Sequence, residues 1–316
     1  MKEGLNLSKD DRDKISELPD NILLHMMNFM DTREAVQTCV LSKRWNNLWK
    51  RLTTLLFNSS KFESVVKFNN FLSRFLSDRD DSISLLNVDL NFSPPCEFDV
   101  IILNFLFRPP IELEHLNRVM EYAVLHNCQR FTLNIGFGCK FDVDPVIFIC
   151  PSLTILRLIF RPHGPTCKLP KSLQLPVLKT LHLQHVFFTA SDNGCAEPFS
   201  TCFLLNTLVL EGCFLDEDAE VLSISNSKLS CLVLDNTFKG ADTIVLSTPK
   251  LRLLTIIDYF GSTKLSSARN LSFLEKVYID VYSNYEDSLV NLSWLELVTN
   301  VKEMMLSVTT IWFILK

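Results

Sequence analysis

Glycine is scarce in this chain of 316 residues, which contains only 8 glycines against 24 phenylalanines. Phosphate-binding loops need several closely spaced glycines, because only a residue without a side chain lets the backbone approach a phosphate so closely. The sequence patterns typical of nucleotide-binding loops, serine hydrolases and zinc proteases are also missing. We therefore expect no enzymatic activity, no catalytic residue and no cofactor.

Paired metal ligands are missing as well. None of the ten cysteines belongs to a C-x-x-C pair, the spacing typical of zinc ribbons and thioredoxin-like sites. His182 and His185 come nearest to a metal pair, but residues three apart on a strand point to opposite faces. We expect no metal site. The cysteines are interpreted as small buried apolar side chains of a protein in a reducing compartment, the cytoplasm or the nucleus.

The sequence also lacks long apolar runs and an excess of positive charge. The longest uncharged stretch, residues 198–210, has 13 residues, whereas a membrane span needs about 20. The first residues include no apolar run that resembles a signal peptide. The net charge of -5 gives no general attraction to nucleic acid or to an anionic membrane. We expect neither as a partner.

Residues 13–52 have the periodicity of three short helices. Pro19 stands where a first helix can begin, and apolar residues follow it at helical spacing over residues 22–30. Thr32 and Ser42 are the predicted N-caps of the second and third helices. The apolar stripe of the third helix consists of Trp45, Leu48, Trp49 and Leu52. Helices this short are marginal alone, so the unit must dock on the rest of the chain or offer an apolar surface to another protein.

A repeat begins at Cys128. The frame L-x-x-L-x-L, with other apolar residues allowed, starts at Cys128, Leu153, Leu178, Leu205, Leu229, Leu251, Leu274 and Val301. Successive copies lie 22 to 27 residues apart, which is within the period of leucine-rich repeats. Stacked copies bury the shared face of their short strands. We predict a horseshoe-like solenoid over residues 128–316, with parallel strands on its concave face, and an irregular one because only Cys213 fits the Asn/Cys consensus position.

The segment between these regions and the C-terminal end give weaker signals. Residues 53–127 combine helical spacing over 62–76, a strand-like run around Val88 and a helix over 113–125. We assign them to a linker and the first elements of the solenoid. A solenoid needs a polar capping unit, whereas residues 310–316 are largely apolar. We therefore expect a truncated or alternatively spliced form with an exposed, adhesive end.

Two stretches resemble the F-box of the large plant F-box/leucine-rich-repeat family of the FBD type. They are residues 13–23, D-K-I-S-E-L-P-D-N-I-L, and residues 33–45, R-E-A-V-Q-T-C-V-L-S-K-R-W, followed by Leu48-Trp49. The resemblance implies an α/β chain with a three-helix F-box before the repeats. It also implies a substrate-recognition subunit of a Skp–cullin–F-box ubiquitin ligase. The F-box would dock on the Skp-type adaptor, and through it on the cullin, while the repeats recruit a protein substrate for ubiquitylation.

The resemblance also implies a set of contact residues. By motif position, the residues in or next to the adaptor contact are Leu18, Pro19, Ile22, Leu23, Val40, Leu41 and Trp45. The substrate candidates flank the inward leucines and face the concave side of the solenoid. They are Arg157, His182, Glu211, Asp235, Tyr278 and Asp280. Early repeats contribute basic and later repeats acidic side chains, which suggests a charge gradient that orients a substrate segment; the alternative is a merely solvated face.

Two other functions remain as alternatives. Hormone-sensing members of the F-box/leucine-rich-repeat class hold a small ligand and an inositol phosphate in the solenoid. Such a site needs lysines and arginines that converge on one point, and the concave positions show no such cluster. The other alternative is a degenerate F-box protein that has left the ligase. Co-purification with a Skp-type adaptor separates these alternatives.

Overall fold

Helices dominate the first third of the chain and strands the remainder. The structure, a computed structural model, describes residues 15, 17–92, 113–136, 145–161, 167–191, 193–236, 243–258, 264–267, 271–282, 293–299 and 301–315. The α-helices are α1 (Asp20–Met27), α2 (Thr32–Gln37), α3 (Val65–Asp78), α4 (Leu113–Leu125) and α5 (Val308–Leu315). The 3-10 helices span Thr38–Val40, Trp45–Arg51, Ser59–Lys61, Pro145–Ile149 and Ser293–Val298. None of the helices in these ranges combines the length and the apolarity needed to cross a bilayer.

The described part of the chain has seventeen strands, all of them short. They are β1 (Thr54–Asn58), β2 (Asn87–Phe92), β3 (Arg130–Ile135), β4 (Ile155–Phe160), β5 (Cys167–Leu169), β6 (Thr180–Gln184), β7 (Val186–Phe188), β8 (Cys195–Ala196), β9 (Thr207–Glu211), β10 (Phe214–Leu215), β11 (Val221–Ser225), β12 (Cys231–Asp235), β13 (Thr243–Ser247), β14 (Leu253–Asp258), β15 (Lys264–Ser267), β16 (Lys276–Val281) and β17 (Glu303–Leu306). The longest have six residues, which is typical of strands in globular proteins.

One parallel sheet organises the molecule. Within the described residues it has ten strands, in the order β1-β2-β3-β4-β6-β9-β12-β14-β16-β17. Two smaller parallel sheets, β10-β7-β5 and β15-β13-β11-β8, lie in the segments that connect the main strands. The eight predicted repeats coincide with the eight main strands from β3 onward, while β1 and β2 extend the same sheet before them. The predicted fold, a helical unit followed by a parallel-strand solenoid, is confirmed.

Alternation along each strand explains why the repeats stack. In β9 the side chains of Leu208 and Leu210 are fully buried, whereas Thr207, Val209 and Glu211 are partly exposed. Residues two apart on a strand share a face, so the leucines of every repeat enter one continuous core. The alternate residues form the opposite face of the ten-stranded sheet, which we call the open face.

The N-terminal helices share this core. Leu23, Trp45 and Trp49 are buried in the same apolar cluster as the first strands and α3. The rings of Trp49 and Phe75 are 5.3 Å apart, centroid to centroid. The helical unit therefore docks on the beginning of the solenoid.

Two predicted helix starts are wrong in detail. The N-cap of α2 is Asp31, whose carboxylate accepts a hydrogen bond from the Arg33 amide at 2.9 Å. Thr32 is instead buried, and its hydroxyl accepts a hydrogen bond from the Leu56 amide of β1. The third helix is a 3-10 helix, Trp45–Arg51, without a side-chain cap, so Ser42 does not cap it. Its predicted apolar residues are nevertheless buried, because the tertiary contacts fix the segment whichever helix type it adopts.

Polar side chains of the helical unit close the first edge of the sheet. The Asn28 Oδ1 atom accepts hydrogen bonds from the amides of Thr53 and Thr54 at 3.2 and 3.1 Å. The Thr32 hydroxyl accepts one from the Leu56 amide at 2.8 Å. An edge strand would otherwise present these amides unpaired. The N-terminal unit therefore caps the solenoid as well as docking on it.

The last described strand has no such cover. Strand β17 pairs with β16, and no described strand pairs with its other edge. Met304 takes an inward position in the repeat pattern, yet it is exposed, as is Met305. Helix α5 turns back onto β16 through the buried Thr310, whose hydroxyl accepts a hydrogen bond from the Val281 amide at 2.7 Å. The side chains of Ile311 and Trp312 remain largely outside the core.

Candidate binding surfaces

An apolar surface remains exposed on the N-terminal helices even after they have docked on the solenoid. Ile22 and Met26, one turn apart on α1, and Phe29 just after it are exposed. Val40 and Leu41, at the end of the second helical segment, are 83% and 64% exposed. We call these five residues the apolar strip. Contiguous exposed apolar side chains mark interaction sites more often than ordinary surface.

Arg44 connects the two parts of the apolar strip. Its guanidinium donates hydrogen bonds to the Asp20 carboxylate, with the Nε–Oδ1 distance at 2.8 Å. The same side chain donates to the backbone carbonyl of Leu18. The arginine therefore ties the start of α1 to the segment that carries Val40 and Leu41. No sequence pattern distinguishes Arg44 from the other basic residues of this region.

The residues implied as adaptor contacts fall into two groups. Pro19, Ile22, Val40 and Leu41 are exposed, and Leu18 is half-buried. Leu23 and Trp45 are only 0% and 5% exposed, so they support the surface from beneath. Sequence reasoning omitted Met26 and Phe29. Their helical spacing from Ile22 was a signal for the shared face, but the spacing alone could not say which face the solenoid covers.

The substrate candidates all lie on the open face, in two neighbouring rows. Strand register places Arg157, His182 and Tyr278 in one row, which also contains Asp89, Val209 and Val233. The next row contains Glu211, Asp235 and Asp280. Four of the six candidates lie on the successive strands β4, β6, β9 and β12. Tyr278 and Asp280 lie two strands further along, about 10 Å away.

The basic side chains predicted to form one end of the charge gradient lie close to acidic side chains of the same sheet. The pKa of the Asp89 carboxyl is raised by burial, while the positive charge of Arg157 acts to lower it. The His182 Nε2 atom lies 3.0 Å from the Glu211 Oε1 atom, which makes an ion pair when the histidine is protonated. Both cationic candidates therefore already have an acidic neighbour within the sheet.

The three acidic candidates, in the second row, differ from the basic ones in their surroundings. Glu211 and Asp235 are direct neighbours across β9 and β12. Burial raises the pKa of the Asp235 carboxyl, and the negative charge of Glu211 raises it further. The Asp280 carboxylate accepts a hydrogen bond from the Thr309 hydroxyl at 3.3 Å. Two carboxyl groups forced together attract a cationic group, so this stretch of the open face suits a basic side chain.

The cysteines of the solenoid serve the core. Burial raises the pKa of the Cys128 and Cys213 thiols to about 12, and that of Cys202 to about 11. At neutral pH these thiols are protonated and make poor nucleophiles or metal ligands. They act as small apolar side chains with a weak S–H donor, as in the contact of the Cys213 Sγ atom with the Leu183 carbonyl at 3.4 Å.

A helical unit that caps a leucine-rich-repeat solenoid defines the class of protein, and comparison with known families makes it specific. Residues 15–57 match the F-box domain family. Residues 116–308 match the family described as FBD-associated F-box protein At5g56370, LRR repeats. The second match covers more than half of the chain. The chain belongs to the FBD-associated F-box/leucine-rich-repeat family, and the resemblance seen in its sequence is confirmed.

Individual relatives agree with this assignment. The chain is 28% identical over 322 residues to the F-box/FBD/LRR-repeat protein At5g18770 of Arabidopsis thaliana, covering 96% of this chain and 62% of the relative. It is 30% identical over 255 residues to F-box/LRR-repeat protein 13 of the same plant, covering 79% of this chain and 53% of the relative. The chain therefore spans little more than half the length of these curated relatives.

Proposed function

We propose that this chain is a substrate-receptor subunit of a Skp–cullin–F-box ubiquitin ligase. The observation that carries the proposal is the apolar strip on the F-box helices, which stays exposed although the same helices bury their opposite face in the solenoid core. In this proposal the chain binds and positions other proteins, while separate subunits carry out ubiquitin transfer. It acts in the cytoplasm or the nucleus.

The strip has the character of a surface made for a protein partner. Val40 and Leu41 are more exposed than Ile22 and Met26, so more of their apolar surface is open to contact with a partner. Burying one such side chain contributes about 1.5–3 kcal/mol. The Arg44 contacts fix the spacing between the two parts of the strip before binding, which reduces the ordering cost of association. A Skp-type adaptor is the partner that the family membership suggests.

The direct test replaces apolar side chains that the fold itself does not use. We expect the double substitution Val40→Asp with Leu41→Asp to abolish co-purification with a Skp-type adaptor, because carboxylates would be buried in an apolar contact. The matched control is Leu125→Asp, an exposed leucine at the end of α4. The control should bind normally, and both variants should keep the unfolding temperature of the wild type.

Trp45 is less suitable for this test. Because it is 5% exposed, Trp45→Ala would weaken the helical unit as well as the contact, at about 3–5 kcal/mol. Adaptor binding that survives both aspartates at full strength would contradict the docking proposal. It would leave the chain as an F-box protein outside the ligase.

We further propose that the substrate binds the open face of the sheet. The support is the stretch in which Val209 and Val233 lie beside the acidic pair Glu211 and Asp235, so that apolar side chains adjoin negative charge. Charge reversal at Asp235 and Asp280 should reduce capture of substrates, as measured by proximity labelling. The Val40/Leu41 variant is the appropriate bait, because it would keep substrates intact without removing the residues that cap β1. Unchanged capture by the charge-reversed chain would overturn this part of the proposal.

A further inference from the structure

A groove lies between the second F-box helix and α3, away from the open face. The groove is open to solvent and has a volume of about 390 Å³, which is within the range of ligand-binding clefts. Its floor is apolar and consists of Val36, Trp49, Phe71 and Phe75. The rings of Phe71 and Phe75 are 5.8 Å apart, which holds the floor in one arrangement.

One wall of the groove is a polar stripe on α3. Lys67, Asn70, Arg74 and Asp78 follow one another at helical spacing and line the groove. All four are exposed. From the first to the last, the stripe is about 16 Å long at the helical rise of 1.5 Å per residue. That length matches about five residues of extended peptide.

The charges of the stripe are partly available to a ligand. Lys67 makes an ion pair with Glu63, which lies just before the start of α3. No ion pair of Arg74 occurs within the described part of the chain. A guanidinium presents a planar set of donors that matches a carboxylate. The adjacent Asn70 amide offers both a donor and an acceptor, as a peptide backbone requires.

We propose that this groove binds an extended peptide segment of a partner protein, with an apolar side chain on the floor and carboxylates facing Lys67 and Arg74. The lining has two positive side chains, Lys67 and Arg74, and one carboxylate, Asp78, at the far end of the stripe, so charge complementarity favours an acidic segment along the part that carries Lys67 and Arg74. The length of the stripe with its central amide favours a peptide over a small amphipathic acid. Helix α3 lies between the two regions that match known family models, residues 15–57 and 116–308. The groove shares Val36 and Trp49 with the F-box region but uses neither Val40 nor Leu41, so it can be tested separately from the adaptor proposal.

The test uses the full chain and the fluorescein-labelled hexapeptide Asp-Glu-Leu-Phe-Glu-Asp, with binding followed by fluorescence anisotropy. We expect saturable binding by the wild type and at least about tenfold weaker binding by Arg74→Glu. The double variant Lys67→Glu with Arg74→Glu should instead prefer a probe in which lysines replace the acidic residues. These side chains are exposed, so the variants should unfold like the wild type. Lys228→Glu, an exposed lysine on the solenoid, is the matched control and should bind normally.

Three results would overturn the proposal. The first is equal affinity of wild type and double variant for the acidic probe. The second is equal binding of a probe in which two serines replace the apolar pair, which would indicate charge attraction alone. The third is displacement of the probe by octanoate at concentrations similar to unlabelled peptide, which would make the groove a site for small organic acids.

Discussion

The two ends of the ten-stranded sheet are built in opposite ways. At the first end, Asn28 and Thr32 accept hydrogen bonds from the amides of β1, and two tryptophans of the helical unit are buried against the core. At the other end, β17 presents exposed methionines, and Trp312 of α5 is 53% exposed. The sheet therefore ends at β1 in an edge whose amides are hydrogen-bonded, and at β17 in a surface with exposed apolar side chains.

The difference shows what a solenoid needs from its flanking segments. A repeat buries its apolar face only against a neighbour, so the outermost repeats depend on something other than a repeat. In this chain the F-box helices meet that need at β1, with side-chain acceptors for edge amides as well as apolar cover. In the proposed function, adaptor binding and solenoid capping use opposite faces of one small unit.

The largest expected effect compares the tryptophans at the two ends. Trp49→Ala should lower the free energy of unfolding by about 3–5 kcal/mol, because it leaves a cavity beside Phe75. Trp312→Ala should cost about 1 kcal/mol or less, since much of the ring is already in water. Urea-induced unfolding measures both changes. Equal losses would show that α5 is as firmly integrated as the F-box helices, and the comparison would fail.

A smaller effect is expected at the capped edge. Asn28→Ala leaves the amides of Thr53 and Thr54 without their acceptor, at a cost of about 1–3 kcal/mol. Thr32→Val keeps the shape of the side chain but leaves the Leu56 amide without its acceptor, so it should lower the free energy of unfolding by a similar amount. Hydrogen exchange of these amides should accelerate together with the loss of stability. Thr154→Val, which removes a hydroxyl that only donates to the Gln129 carbonyl, is the control and should leave exchange at β1 unchanged.

At the open edge the expected effect is on association. We expect the 316-residue chain to self-associate in a concentration-dependent way, because exposed apolar side chains flank a strand edge with which no described strand pairs. Met305→Lys combined with Trp312→Lys should shift sedimentation profiles toward the monomer. Leu125→Lys, an exposed leucine far from either edge in sequence, should not. A monomeric wild type that binds no hydrophobic dye would contradict the expectation of an adhesive end.

The repeats were predictable from the sequence, whereas the two edges were not. Leucines at fixed spacing predict strands because burial alternates along every strand, as in Leu208 and Leu210 of β9. The role of Asn28 could not be predicted, because an amide that caps a distant strand has no local pattern. The same holds for Thr32, whose position suggests a helix cap although its hydroxyl accepts a hydrogen bond from the Leu56 amide. Met304 fits the repeat frame, but only the three-dimensional structure shows that no described neighbour covers it.

The candidate surfaces were predictable to a similar degree. Motif position identified Val40 and Leu41, and strand alternation placed the six substrate candidates on one face. The pairing of individual side chains was out of reach of the sequence, because it depends on the distances between side chains on neighbouring strands. The contact of His182 with Glu211 is one such case. The groove beside α3 is another, since Val36 and Trp49 of its floor come from the F-box helices and the rest of its lining comes from α3.

The smallest expected effect lies midway between the two ends, at Asp235, and tests whether the sheet there is electrostatically strained. Burial and the charge of Glu211 raise the pKa of this carboxyl in the folded state. The folded protein then binds the proton more tightly than the unfolded chain, so this contribution to stability is present at low pH and is lost as the pH rises through the raised pKa. Asp235→Asn, which keeps the Oδ1 acceptor for the Asn236 amide, should therefore be more stable than the wild type at pH 7, and the gain should vanish below about pH 4.

The matched control for Asp235 has the opposite sign. Lys168 lies 2.6 Å from the Asp216 carboxylate and lowers the pKa of that carboxyl. Its contribution is present above the unfolded pKa and is lost as the pH falls, so Asp216→Asn should be less stable than the wild type at pH 7 and equal to it in acid. Thermal unfolding from pH 3 to pH 8 measures both variants. If Asp235→Asn is also less stable than the wild type at pH 7, the wild-type Asp235 carboxylate is favourably solvated. The acidic stretch of the open face would then not favour the binding of a cationic group.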